Sequence, residues 1–347
     1  MDYMKIIKRA WNTTWSYKAL WIFGILIALS SGGGSSGGGN SGAQFGGGGG
    51  EWDFPNTFEL PEIATGAIIA TIVAVCGFFL LLTIATVIAR YVSETALIRM
   101  VDDHEETGEK RTIKEGFRLG WSKGAWKMFL LDLLIGVAFG AGIVLILMLA
   151  ATPLLTWITE SDALRAIGTV TAIGAILLSI LVAIAVGAVV NALLHFIRRA
   201  VILEQKGVFE SIREGLAFVK AHLKDVALMW LLMFGINLVV ALLMIPVVLL
   251  LLVLGAIVGG LPGAAVGALV NLITGNEMLP WIIGGGIGLF IFVAVVAIPS
   301  LFAGGVYKTF ESSVWTLTYR ELHALEQLEA ESAPEEPNLP EAIAESM

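Results

Sequence analysis

The sequence predicts an all-α fold: a polytopic membrane helix bundle with six transmembrane helices, arranged as three repeated units. Three observations carry this. Residues 63–89, 133–158, 166–194 and 226–276 contain no Asp, Glu, Lys or Arg. The basic residues between such runs fall almost entirely on one side. One motif recurs at the start of every second span. The 347-residue chain is 57% hydrophobic and 14% charged, against about 25% charged in soluble domains. A helix of ~20 apolar residues crosses the ~30 Å hydrocarbon core. Lipid cannot hydrogen-bond a bare backbone, so such runs form helices or a closed barrel, and continuous rather than alternating apolar character selects helices.

The spans fall at about 15–31, 63–91, 127–152, 165–195, 226–254 and 281–304. Placing them so puts 20 of the 21 Lys and Arg residues on one side, Arg165 being the exception. Basic loops stay in the cytoplasm, so both termini are expected there, in a bacterial plasma membrane. The first span runs into a tract, 31–50, with 12 Gly and 4 Ser. No Lys follows it and no strand precedes it, so it is neither a P-loop nor a dinucleotide fingerprint. It reads as an exterior slack loop.

Three stretches align without gaps: "IIKRAWNTTWSYKALWIFGILI" from Ile6, "TIKEGFRLGWSKGAWKMFLLDL" from Thr112 and "SIREGLAFVKAHLKDVALMWLL" from Ser211. Ile7, Ile113 and Ile212 match, as do Lys8, Lys114 and Arg213, and Ala10, Gly116 and Gly215. Each stretch reads as a basic amphipathic helix running into a span. A period of this kind outweighs any single span assignment. It divides the chain into unit 1 (1–103, with the Gly/Ser loop), unit 2 (104–202) and unit 3 (203–330, with a cytosolic helical extension). An acidic, Pro-containing tail at 331–347 is expected to be disordered. Residues 226–276 are long enough for two crossings, but two spans per unit make 255–275 an outer loop or re-entrant segment, broken early at Pro262. Its Gly259, Gly263 and Gly267 spacing suits close helix contact.

The amphipathic helices carry the candidate site. Ile113, Phe117, Trp121 and Met128 are apolar at helical spacing, flanked by Lys114, Arg118, Lys123 and Lys127. Basic helices with Trp lie in the headgroup plane, cations against anionic lipid. Arg198 and Arg199, in "HFIRR" with His195, and Arg213 and Lys220 are expected at the same lipid phosphates. The intramembrane polar residues are Asp132, Asn191 and Asn237. An acid in a span is a functional candidate, but Asp132 lies near the headgroups and within reach of Lys127. The two Asn suit interhelical hydrogen bonds. "DDHEE" (102–106) reads as a solvated charge run, and the single Cys76 as a small packing residue. Phe310, Val314 and Leu317 share one face of the cytosolic extension, a possible contact for a protein partner.

No HExxH, GxSxG or CxxC motif is present, so no catalytic residue, metal site or cofactor is expected, and no nucleic-acid partner. The organisation, carried by "IKEGFRLGWSKGAWKMF", "IREGLAFVKAHLKDV" and "VWTLTYREL", resembles uncharacterised bacterial multi-pass proteins and the membrane domain of some glycerophosphoryl diester phosphodiesterases. That resemblance implies a plasma-membrane protein without the phosphodiesterase catalytic domain. The expected function is a non-enzymatic scaffold or regulator binding lipid and partner proteins; the alternative is a permease for a small solute or lipid.

Overall fold

The computed structural model describes residues 1–31, 62–275 and 278–332. The Gly/Ser tract from 32 onward and the acidic tail from 333 lie outside them. The described residues form nine α-helices and no strand: α1 (Tyr3–Ser16), α2 (Ala19–Ser30), α3 (Glu62–Thr107), α4 (Ile113–Gly120), α5 (Lys123–Ala150), α6 (Asp162–Leu203), α7 (Val208–Ala221), α8 (Leu223–Thr274) and α9 (Leu279–Ser332), with a 3-10 turn at Thr152–Ile158. Five of these, α3, α5, α6, α8 and α9, are long and apolar enough to cross a membrane. The sixth expected span is divided. The chain bends at Tyr17 and Lys18, leaving α2 with 12 residues, a rise of about 18 Å. The Tyr17 hydroxyl donates to the Arg111 carbonyl at 2.7 Å, which holds the bend in place.

The short polar helices stop for local reasons. Asp2 caps α1, accepting from the Lys5 amide at 3.0 Å. Thr112 and Glu115 form a reciprocal capping box on α4, satisfying amides that a helix start leaves free. Each short helix ends at an aromatic residue, Tyr17, Trp121 or His222, whose N–H returns to the carbonyl four residues earlier. The break at Trp121 ends the expected amphipathic stripe: Met128 belongs to α5 and is fully buried, while Ile113, Phe117 and Trp121 are exposed.

Packing concentrates at the end that carries the short helices. There α4 lies on α3, α7 on α6 and α1 on α9. Small residues let each pair close: Ala10 is fully buried, and Gly116 and Gly215 are buried against Phe23 with Met100 and against Ile197. The largest core cluster joins Ile6, Phe196, Val226, Met229, Val314 and Leu322, and a second joins Leu20 and Phe23 to Leu97 and Met100. The inner halves of α3, α6 and α9 thus supply most of the core.

Away from that end the helices rise as apolar arms. Every residue of α3 from 69 to 85 is exposed, Cys76 included, so among the described residues this cysteine is not part of a packed core. α5 and α6 pair through the 3-10 turn, and α8 pairs with α9 along most of its length. Residues 255–274 continue α8 as unbroken helix rather than an outer loop or re-entrant segment. The reason lies in the facing helix. A Cβ on Gly263 would come 2.6 Å from the Gly284 carbonyl oxygen, and one on Gly288 2.9 Å from that of Gly259. The backbones touch, and this contact carries the helix past Pro262, whose missing N–H would otherwise favour a break.

Candidate functional site

The inner ends of α3, α5 and α6 meet around one guanidinium. Arg198 grips Asp132 with two bonds, Nη2 to Oδ2 at 2.7 Å and Nε to Oδ1 at 3.0 Å, and reaches Glu94 Oε1 with Nη1 at 3.0 Å. The three side chains are 13%, 12% and 16% exposed. Tyr91 adds a hydroxyl bond to Asp132 at 3.2 Å. This two-pronged geometry is specific to arginine. Its neighbour Arg199 is 2% exposed. It donates to the His195 carbonyl at 2.5 Å, the Ser312 carbonyl at 3.1 Å and the Thr316 hydroxyl at 3.3 Å, tying α6 to α9. The His195 ring stacks on Trp315 at 4.7 Å.

These positions correct several expectations. Arg198 and Arg199 do not face lipid phosphates. They sit on the stretch of α6 enclosed by α3, α5 and α9, so both side chains turn inward. Asp132 pairs with Arg198 and not with a lysine. Lys127 donates to the Gln205 and Lys206 carbonyls at 2.7 and 3.0 Å, which ties the start of α5 to the turn between α6 and α7. Neither Asn191 nor Asn237 hydrogen-bonds another helix among the described residues, and Asn237 Oδ1 is buried without a partner. The face of Phe310, Val314 and Leu317 is covered by α1, α7 and α8.

Lys114, Arg118, Lys123, Arg213 and Lys220 are exposed. They share their surface with large aromatics: Trp121 is 72% exposed, Trp126 63% and Phe209 76%. On α1, Trp11 and Trp15 are exposed and lie edge-to-face at 5.7 Å. Cations flanking bare indole rings have the chemistry of a surface that sits in lipid headgroups.

Sequence reasoning missed a second cluster. "DDHEE" is not simply solvated: Asp102 pairs with Arg320, Asp103 with Arg111 at 2.5 Å, and Glu105 with Arg9. One helix end thereby holds α9, the α3–α4 loop and α1. The described residues contain no group of three or more His, Cys, Asp or Glu able to hold a metal.

A third cluster lies where α6 turns into α7. Lys206 bonds Glu204 at 2.7 Å and Glu214 at 2.6 Å, and the Tyr319 hydroxyl donates to Glu204. Burial opposes the charge on Glu204, but the bonds from Lys206 and Tyr319 outweigh it and hold the carboxyl below its ordinary range. The bonds to Glu204 and Glu214 raise the Lys206 ammonium above its own. The folded carboxyl therefore gives up its proton more readily than the unfolded one. Its stabilisation is present above the ordinary carboxylate pKa of about 4.3 and fades as pH falls through the lowered value. Thermal midpoints of wild type and Glu204→Gln in detergent are expected to differ at about pH 6 and converge toward about pH 3. A gap independent of pH would show that the carboxylate charge plays no part.

Long apolar helices gathered at an ion-paired, basic end define a multi-pass α-helical membrane protein. The chain belongs to a family of unknown function, DUF7544, which matches residues 9–331. No curated protein and no solved structure matches it. The family makes no link to the membrane domain of glycerophosphoryl diester phosphodiesterases.

Proposed function

We propose that this protein is a non-enzymatic membrane scaffold or regulator, in a bacterial plasma membrane, which holds anionic lipid on its cytoplasmic face. The observation that carries the reading is the set of exposed Trp residues on α1, just after α4 and on α5, beside exposed basic residues of α1, α4, α5 and α7 that form no ion pair among the described residues, all at the packed end of the molecule. The charge asymmetry supports a cytoplasmic position for that end and for both termini. The arrangement of α4 on α3, α7 on α6 and α1 on α9 supports three repeated units, with α2 in the first of six crossings. A protein partner would then meet the exposed end of α9 near Leu328, since the face farther back is already covered.

Each cation near an anionic surface contributes about 1 kcal/mol, screened by salt. Replacing Lys114, Arg118 and Lys123 together by Gln is expected to weaken retention of anionic lipid, by up to about 3 kcal/mol if the terms add. Native mass spectrometry of co-purified lipid measures this, with thermal unfolding as the check on folding. Unchanged lipid retention in a folded triple variant would sink the scaffold reading and move the permease reading ahead.

A further inference from the structure

At the packed end, α1, α3 and α9 line a cavity of about 210 Å³. One water needs only ~10–15 Å³, and drug-sized ligands occupy ~300–1,000 Å³. The volume between these limits suits a small solute. Part of the lining is apolar: Ile6 and Leu317 are each 5% exposed and form the floor. Charged groups surround it. Glu105 holds Arg9 and Asp102 holds Arg320, which ties α1 and α9 to α3. The site is therefore preformed, and binding has little left to order.

Those two pairs leave two charges over. Lys5 of α1 and Glu321 of α9 line the same cavity, yet neither side chain makes a hydrogen bond or ion pair among the described residues. The arginines also keep donors in hand. Arg9 meets Glu105 through Nη2 and Arg320 meets Asp102 through Nη1, whereas a guanidinium has five N–H groups. The open complement is thus an ammonium with spare guanidinium donors, and one carboxylate. An anion suits the first and is repelled by the second; a cation does the reverse. A zwitterion suits both.

Depth separates a soluble zwitterion from a lipid headgroup. The charge-free run of α9 ends at Lys308, and Arg320 is 12 residues further on, about 18 Å along the helix. Headgroups add only about 5–8 Å to each side of the hydrocarbon core.

We propose that this cavity binds a free α-amino acid with an aliphatic side chain. Its carboxylate meets Lys5 and the spare arginine donors, its ammonium meets Glu321, and its side chain lies on Ile6 and Leu317. The inference deepens the regulator reading and takes from it the cytoplasmic position of this end. A bound amino acid bridges α1 and α9, and so brings a soluble signal to a membrane protein.

The test uses the full chain in detergent and isothermal titration calorimetry, with L-leucine as the probe. Isopentylamine and 4-methylpentanoate each keep the side chain and lack one charged group. Leucine is expected to bind saturably at one site, and each analogue at least about tenfold more weakly, the usual effect of a lost charged hydrogen bond. Lys5→Gln and Glu321→Gln are each expected to weaken leucine binding by about the same tenfold factor. Ala324 is an exposed residue of the cavity wall; Ala324→Trp fills the space, leaves both ion pairs in place, and is expected to abolish binding. Failure of leucine, isoleucine, valine and alanine all to bind wild type at millimolar concentration would overturn the inference. So would unchanged affinity in Lys5→Gln and Glu321→Gln, or a preference for inorganic phosphate over leucine, which would make this a plain anion site. The Lys114, Arg118 and Lys123 triple variant is expected to bind leucine as wild type does, so lipid retention and leucine binding fail separately.

Discussion

Replacing Arg198 by leucine is expected to lower the stability of the folded protein by about 3–5 kcal/mol, the usual effect of removing one partner from a buried ion pair. The loss has a definite origin. Asp132 and Glu94 are 12% and 16% exposed and both rely on Arg198. Without it, two carboxylates remain in a poorly solvated site, Asp132 held only by the Tyr91 hydroxyl and Glu94 by no side-chain hydrogen bond among the described residues. Replacing Arg198, Asp132 and Glu94 together by leucine is expected to recover most of the stability, because an apolar triad removes the uncompensated charge. Unfolding of the purified variants in detergent gives the comparison. A single variant within about 1 kcal/mol of wild type would mean that water reaches the cluster and that burial is not what makes it matter.

The second large effect lies at the other end of the molecule. Gly263→Leu is expected to force α8 and α9 apart, since even a Cβ at this position meets the Gly284 carbonyl. Overpacking against a side chain costs about 1–3 kcal/mol. Here the obstacle is rigid backbone, so the helices move instead. Gly260→Leu is the control: it is three residues away on the same helix, and a Cβ there meets nothing within 4 Å. Spin labels at Val258 and Leu289, both exposed, should report a longer distance in Gly263→Leu and none in Gly260→Leu. Equal distances in all three proteins would mean that the glycine contact does not set the helix spacing.

Much of this architecture is legible in residue types alone, because lipid imposes a simple rule: runs without charge must be helical. The four charge-free runs lie within α3, within α5 and the 3-10 turn, within α6, and along α8. The small residues at positions 10, 116 and 215 were visible as a match between stretches, and they mark where short helices pack. Direction around a helix axis was not visible. Arg198 and Arg199 are adjacent, basic and next to a span, which is the pattern of a headgroup anchor. What turns them inward is the arrival of α3 and α9 on either side, a long-range event. "DDHEE" misleads for the same reason: two of its partners, Arg9 and Arg320, lie near opposite ends of the chain, and only Arg111 is local. The extent of α8 was misjudged because Pro262 and its glycines signal a break locally, whereas facing glycines 21 to 29 residues onward stabilise the helix.

The cluster around Arg198 has a consequence for biogenesis. Glu94 and Asp132 precede their shared cation by 104 and 66 residues. Emerging from the ribosome in order, α3 and α5 each bring an acid to the membrane before α6 exists to neutralise it. Until then neither acid can be buried against protein without cost, because a carboxylate taken out of water with no counter-ion is expensive. Synthesis of α6 therefore completes a set of three helices that dock together, and a chain terminated before residue 198 is left without its internal counter-ion.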